Sequence, residues 1–214
     1  EILSQGRFIP DLYNSVERIT GRVRGSLCIA TIVASAIFSA VCGSSYVTAA
    51  TLGRMTLPEM LARGYDKKLS SGSVAAGGSL GILMPPSLAF VIYGYMSGAS
   101  IASLFIAGII PAFILSALFI LSIVLWIKIF PDTAGFGEKV PWIEKLKSSS
   151  KIIPVCLLAI ILLICIYLGV TTPAEAAAVG CVFSLLLCVV YGRMTWKIFW
   201  LLTRIGGWII VKKL

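Results

Sequence analysis

The stretch "GSLGILMPPSLAF" (Gly78–Phe90) decides how the rest of the chain is read. It sits inside a long run, bounded by Lys68 and Lys128, that carries no charged residue. One membrane-crossing helix needs only ~20 apolar residues, so this run is long enough to cross a bilayer twice. Two adjacent prolines interrupt it. Pro86 has no N–H, and Pro85 is driven out of the helical region by the proline that follows it. The sequence therefore predicts a helix ending near Met84 and a new one beginning around Pro86 or Ser87. Unsatisfied backbone is costly in lipid, so a break at membrane depth survives only inside protein or beside a polar cavity.

The composition agrees with a membrane setting. The chain has 214 residues, of which 58% are hydrophobic and 13% charged, and its mean hydropathy is +0.99. No charge lies between Arg24 and Arg54, and Glu175 is the only one between Lys151 and Arg193. These runs do not alternate polar and apolar residues, which excludes a barrel and leaves an all-α helical bundle. The net charge of +9 is spread over the segments between apolar runs. That is the pattern of loops held on the cytoplasmic side, not of a nucleic-acid-binding face. The six cysteines form no CxxC pair and histidine is absent, so neither a metal cluster nor a disulfide framework is expected. The chain opens on Glu1 without a signal peptide and is read as a fragment of a longer protein.

All 18 lysines and arginines fall into four clusters: Arg7–Arg24, Arg54–Lys68, Lys128–Lys151 and Arg193–Lys213. If basic loops stay inside, each apolar run must leave and return to the same side. Residues 69–127 do so as two spans meeting near "GYMSGAS" (Gly94–Ser100), the first broken at 84–87. Residues 152–192 do so as two more, turning at "GVTTP" (Gly169–Pro173). The first run, 25–53, is too short for two crossings, yet both its ends are basic. A re-entrant hairpin turning at "GSS" (Gly43–Ser45) resolves this, against the alternative of one long tilted span with a basic outer loop. Residues 54–68 then form a cytoplasmic loop and 128–151 a cytoplasmic connector, with a second surface helix or a plain loop at Val140–Lys151. Residues 193–214 form a basic C-terminal segment, read as truncated. In 1–24 the apolar residues Phe8, Ile9, Leu12, Tyr13, Val16, Ile19 and Val23 recur at helical spacing. That pattern predicts an amphipathic helix on the cytoplasmic surface.

Two places offer non-helical backbone at membrane depth: the hairpin tip "CGSSYVT" (Cys42–Thr48) and "GILMPPS" (Gly81–Ser87). A broken helix presents carbonyls at one end, suited to sodium, and N–H groups at the other, suited to a carboxylate. Serine and threonine hydroxyls add neutral oxygens. The simpler reading of "MPPS" is a proline kink, and of "GGSLG" (Gly77–Gly81) a close helix contact. A second break in the same chain, also rich in Gly, Ser and Thr, favours a binding site. An intramembrane serine hydrolase fails for want of a base, so no enzyme activity is expected.

The block "GSSYVTAATLGRMTLPEMLARGYDKKLSSGSVAAGGSLGILMPPSLAFVIYGYMSGASIASLFIAGIIPAF" (Gly43–Phe113) resembles the first-half core of the large membrane subunit of TRAP transporters. These are the tripartite ATP-independent periplasmic transporters. "GVTTPAEAAAVG" (Gly169–Gly180) resembles the opening of that subunit's second half. The resemblance implies an inverted-repeat, elevator-type secondary importer of the bacterial inner membrane, driven by sodium and without other cofactors. It implies carboxylate-bearing organic acids such as C4-dicarboxylates as cargo. A periplasmic binding protein would deliver them and a small membrane subunit would complete the scaffold. It places the ion and substrate site at Gly43, Ser44, Ser45 and Thr48 of the tip and at Gly81, Pro85, Pro86 and Ser87 of the break, with sodium near Ser44 and Ser45. The family's second hairpin and second broken helix have no counterpart before Leu214. Two other readings follow from that: a non-transporting remnant or assembly subunit, and a related sodium–carboxylate symporter that uses no binding protein.

Overall fold

The computed structural model describes residues 2–137, 152–193 and the positions 141, 144, 145, 148 and 150 between them. Among these residues the secondary structure is helical, with one isolated bridge, Arg24 to Phe136. The helices are α1 (Ile2–Gln5), α2 (Phe8–Thr20), α3 (Ser26–Cys42), α4 (Ser45–Ala62), α5 (Lys67–Leu83), α6 (Leu88–Ser97), α7 (Ile101–Ile129), α8 (Ile153–Tyr167) and α9 (Pro173–Val190). A single 3-10 turn, Pro131–Thr133, follows α7.

The chain reverses between α3 and α4. Gly43 N–H makes the last helical bond of α3, to Ser39 O at 2.8 Å, and its left-handed conformation (φ 63°) stops the helix. Glycine adopts that conformation without the strain a Cβ brings. Both arms return to one base. Arg63, just past α4, places Nη1 2.7 Å from Glu17 Oε1 and Nη2 2.7 Å from Glu59 Oε1. Glu17 belongs to α2, which leads into the start of α3. The Tyr65 hydroxyl donates to Gly135 O at 3.2 Å, and Gly25 N–H donates to the same carbonyl at 3.0 Å. Asp66 N–H donates to Thr133 O at 2.9 Å. The start of α3, the end of α4, the start of α5 and the end of α7 therefore meet at one level.

Lengths measured from that base differ. At ~1.5 Å per residue, α3 and α4 each rise about 26 Å. The broken segment α5–α6 (Lys67–Ser97) has 31 residues and α7 has 29, and these two are long and apolar enough to cross a membrane. The hairpin tip thus stops level with the end of α5, while α6 and the start of α7 continue beyond it. They meet at the turn Gly98–Ser100, where Ser100 Oγ accepts from Ser103 N–H at 3.4 Å.

One boundary differs from the sequence expectation. Residues 54–68 do not form a loop throughout, because α4 continues past Arg54 to Ala62. Arg54 lies on the exposed side of the helix, while Leu52, Gly53, Thr56 and Met60 are buried. A single charge on the outer face does not end a helix whose inner face is packed. Pro58 removes only one backbone bond within it.

α2 forms where the apolar spacing predicted a helix, and most of its apolar side is covered by protein, while Ile19 stays exposed. Phe8, Ile9, Leu12, Tyr13 and Val16 are buried, chiefly against α3. Burial, with Glu59 and Glu17 nearby, raises the pKa of the Tyr13 phenol and keeps it neutral. α8 and α9 pack on each other and turn at Leu168–Thr172. Thr172 and Glu175 form a reciprocal cap at the start of α9. α8, with 15 residues, reaches only about 22 Å, less than a hydrocarbon core of about 30 Å. Arg193, after α9, ties this pair to α2 through Asp11 (2.6 Å) and the Phe8 ring (4.9 Å to its centroid). The surface helix considered for Val140–Lys151 falls largely outside the described residues, as does the basic segment after Arg193.

The Arg63 junction gives a direct test. Arg63→Ala is expected to lower stability by about 1 kcal/mol, since both ion pairs are partly solvated. A double-mutant cycle with Glu17→Gln in thermal unfolding should show coupling. Strict additivity would mean that the pair does not hold the hairpin's return arm.

Candidate functional site

The hairpin tip docks on the helix break. Leu88 N–H, the first of α6, donates to Gly43 O at 3.1 Å. A Cβ on Gly43 would lie 2.5 Å from Pro86 O, closer than real Cβ contacts come. On the other side of the tip, a Cβ on Gly81 would lie 2.5 Å from Ser45 N and 2.7 Å from Ser44 O. One on Gly78 would lie 2.6 Å from Ala49 Cβ, and one on Gly77 would run into Ser35 of α3. Glycines on α5 therefore let α3 and α4 approach backbone to backbone. The close helix contact and the break turn out to be parts of one arrangement.

Pro85 and Pro86 explain the chemistry of the break. In a continuous helix the carbonyls of Gly81 and Ile82 would accept from residues 85 and 86, but neither proline has an N–H. Met84 is extended (ψ 119°) and Ser87 likewise (ψ 133°), so α5 ends and α6 starts afresh. The buried Ser87 hydroxyl donates to Ile82 O, satisfying one of the two orphaned carbonyls. α7 closes the far side: a Cβ on Gly108 would lie 3.1 Å from Leu83 O.

The tip has its own clamp. The Thr48 hydroxyl donates to Ser44 O at 2.9 Å and lies 3.3 Å from Ser39 Oγ. With the Thr48 proton committed to Ser44, Ser39 is the donor in the second bond. Ser44 is the N-cap residue of α4 in extended conformation, and its hydroxyl makes no capping bond. Ser45 opens α4 and is half-buried.

All eight residues expected at the site thus fall into one neighbourhood: Gly43, Ser44, Ser45 and Thr48 from the tip, and Gly81, Pro85, Pro86 and Ser87 from the break. The N-termini of α4 and α6 and the C-terminus of α5 converge there. Their polar atoms are hydroxyls, carbonyls and amide N–H groups, with no ionisable side chain among the eight. Neutral oxygens of this kind fit a hard monovalent cation, and free helix N-termini fit an anion.

Two contributors to the site, and one contact at the base, were not expected from the sequence. Ser39 stands four residues before Gly43, as Thr48 stands four after Ser44, so the two face each other once the chain reverses. Gly108 is the one glycine of α7, and a Cβ there would meet the Phe90 ring and Leu83 O. Arg63 reads in the sequence only as a basic loop residue, because the pairing with Glu17 depends on α2 lying beside the base.

A family model for the tripartite ATP-independent periplasmic transporter, DctM component, matches residues 1–202. The C4-dicarboxylate TRAP transporter large permease protein DctM of Vibrio cholerae is 36% identical over 168 residues, covering 78% of this chain and 36% of that protein. The protein of the same name in Pseudomonas aeruginosa is 38% identical over 164 residues, 77% of this chain and 38% of that one. The ectoine/5-hydroxyectoine TRAP transporter large permease protein UehC of Ruegeria pomeroyi is 32% identical over 193 residues, 90% of this chain and 45% of that one. The chain spans less than half the length of each of these relatives.

Proposed function

The chain belongs to the DctM family of tripartite ATP-independent periplasmic transporters, and from that membership we propose that it forms one repeat, and the start of a second, of a sodium-coupled membrane permease. Its role is transport, not catalysis. The cargo is an organic acid bearing a carboxylate, in line with the C4-dicarboxylate permeases that it resembles. A periplasmic binding protein delivers the cargo, and a small membrane subunit stands beside the permease in the inner membrane.

The observation that carries this reading is the docking of the hairpin tip on the helix break. A hairpin whose arms both return to a basic base, and whose tip stops below the far end of α6 and α7, is the shape of a re-entrant element. The broken helix beside it supplies orphaned carbonyls and a fresh helix N-terminus at the same depth. We assign the ion to the oxygens around Ser44 and Ser45, and the carboxylate to the N-terminal ends of α4 and α6. In an elevator movement, α3 to α7 would move together, since the glycine contacts of α5 leave no slack between hairpin and break.

In vesicles holding the permease with its partners, uptake is expected to need both an inward sodium gradient and the loaded binding protein. Equal uptake with choline in place of sodium would refute the coupling. Ser45→Leu is expected to lower uptake at least about tenfold with insertion unchanged, because overpacking by a larger side chain costs about 1–3 kcal/mol at this contact. Undiminished uptake would remove Ser45 from the site.

A further inference from the structure

A second feature lies between α5 and α7, near the base. α5 leaves the base as α7 returns to it, and a groove of about 240 Å³ opens between them. Gly72 and Ala76 line one wall, Phe119 and Ile123 the other, and Lys68 and Trp126 stand at the basal end. The groove exists because α5 carries small residues here: a Cβ on Gly72 would meet nothing within 4 Å. The two hydroxyls in its walls are turned back to their own helices, Ser73 to Leu69 O (2.7 Å) and Ser122 to Leu118 O (2.8 Å). The walls therefore offer apolar surface.

The basal end has a different character. Lys68 is exposed, as are Lys67 beside it and Lys128 at the end of α7. The Asp66 carboxylate accepts from the N–H groups of Lys68 (2.8 Å) and Leu69 (3.1 Å) and caps α5. Trp126 and Phe130 pack with ring centroids 5.0 Å apart. Aromatic side chains concentrate at the level where hydrocarbon gives way to headgroups, and basic residues just outside it attract anionic lipid.

We propose that this groove binds one anionic phospholipid, with its phosphate on Lys68 and an acyl chain between α5 and α7. Charge complementarity selects the anionic headgroup, and the apolar walls select a lipid over a free phosphate. The site is separate from the hairpin–break contact and needs only that the protein be embedded in a membrane. It stands whatever the permease carries.

Native mass spectrometry of the purified, delipidated protein in detergent tests this, with phosphatidylglycerol and phosphatidylcholine of identical chains as probes. The wild type is expected to retain the anionic lipid about fivefold better than the zwitterionic one, the ratio that one interfacial lysine supplies. Lys68→Gln should bring the ratio near one, and Lys68→Arg should restore it. Gly72→Leu should reduce binding of both lipids. Its new side chain points into open space, so helicity by circular dichroism should not change, and Ala76→Leu gives the same test from the next turn. Arg7→Gln, a surface basic residue elsewhere, should leave the ratio alone. The proposal is overturned if Lys68→Gln leaves the ratio intact, if Arg7→Gln lowers it equally, or if filling the groove changes nothing. It is also overturned if excess glycerol phosphate displaces the lipid.

Discussion

Gly43→Ala is expected to abolish uptake by the proposed permease, whereas Gly64→Ala, at the opposite end of α4, is expected to leave most of it. Both glycines have positive φ, 63° and 77°. Alanine in either position bears the left-handed penalty, about 1–2 kcal/mol. The difference is in what the new Cβ meets. At Gly64 there is nothing within 4 Å, while at Gly43 Pro86 O would lie 2.5 Å away. That atom is backbone, so it cannot rotate aside as a flexible side chain would. Relief requires the tip to lift from the break, which also sacrifices the Leu88 to Gly43 bond at 3.1 Å. Overpacking of this kind adds about 1–3 kcal/mol. The pair of variants therefore separates conformational strain from lost docking. Transport and thermal unfolding should both be measured. If the two substitutions reduce uptake to the same degree, docking of the tip on the break is not what transport requires.

How far this arrangement can be read from the sequence depends on the interaction involved. Charge and length are one-dimensional, and they sufficed to place a reversal near Gly43, while the double proline placed the break. Each follows from local rules: a glycine that tolerates positive φ, and prolines that cannot donate. Arg54 misled for the same reason, since a charge counts as a boundary when the face it occupies is unknown. In the structure it projects from the outer side of α4, and the helix runs on to Ala62. The contact between tip and break is not local. It depends on Gly77, Gly78 and Gly81 presenting bare backbone to α3 and α4 together, and a GxxxG spacing alone does not say which helix will lie there. The Ser39–Thr48 bond could be sought once a hairpin is assumed, because its partners lie at mirrored distances from the turn. The Arg63–Glu17 pair and the α5–α7 groove needed the fold itself.

Ser87→Ala is expected to affect both stability and ion coupling, and comparison with Ser87→Thr assigns the cause. The prolines leave the carbonyls of Gly81 and Ile82 without helical donors, and Ser87 serves Ile82 from a position that is 1% exposed. Removing its hydroxyl leaves the partly exposed Ile82 carbonyl without its donor, at a cost of about 1 kcal/mol. A stranded carbonyl can recover a partner in two ways. The tip can shift, in which case stability falls and the apparent sodium affinity falls with it. Alternatively the carbonyl can turn to the ion, in which case added sodium raises the melting temperature more in the variant than in the wild type. Both outcomes would tie Ser87 to the proposed ion site. Ser87→Thr retains the hydroxyl and should keep the wild-type sodium response, with only a modest overpacking loss from the extra methyl. If Ser87→Ala shows a lower melting temperature with an unchanged sodium response, the hydroxyl is a cap and nothing more. The ion would then be held by the tip alone, and the double proline would serve only to let α4 approach.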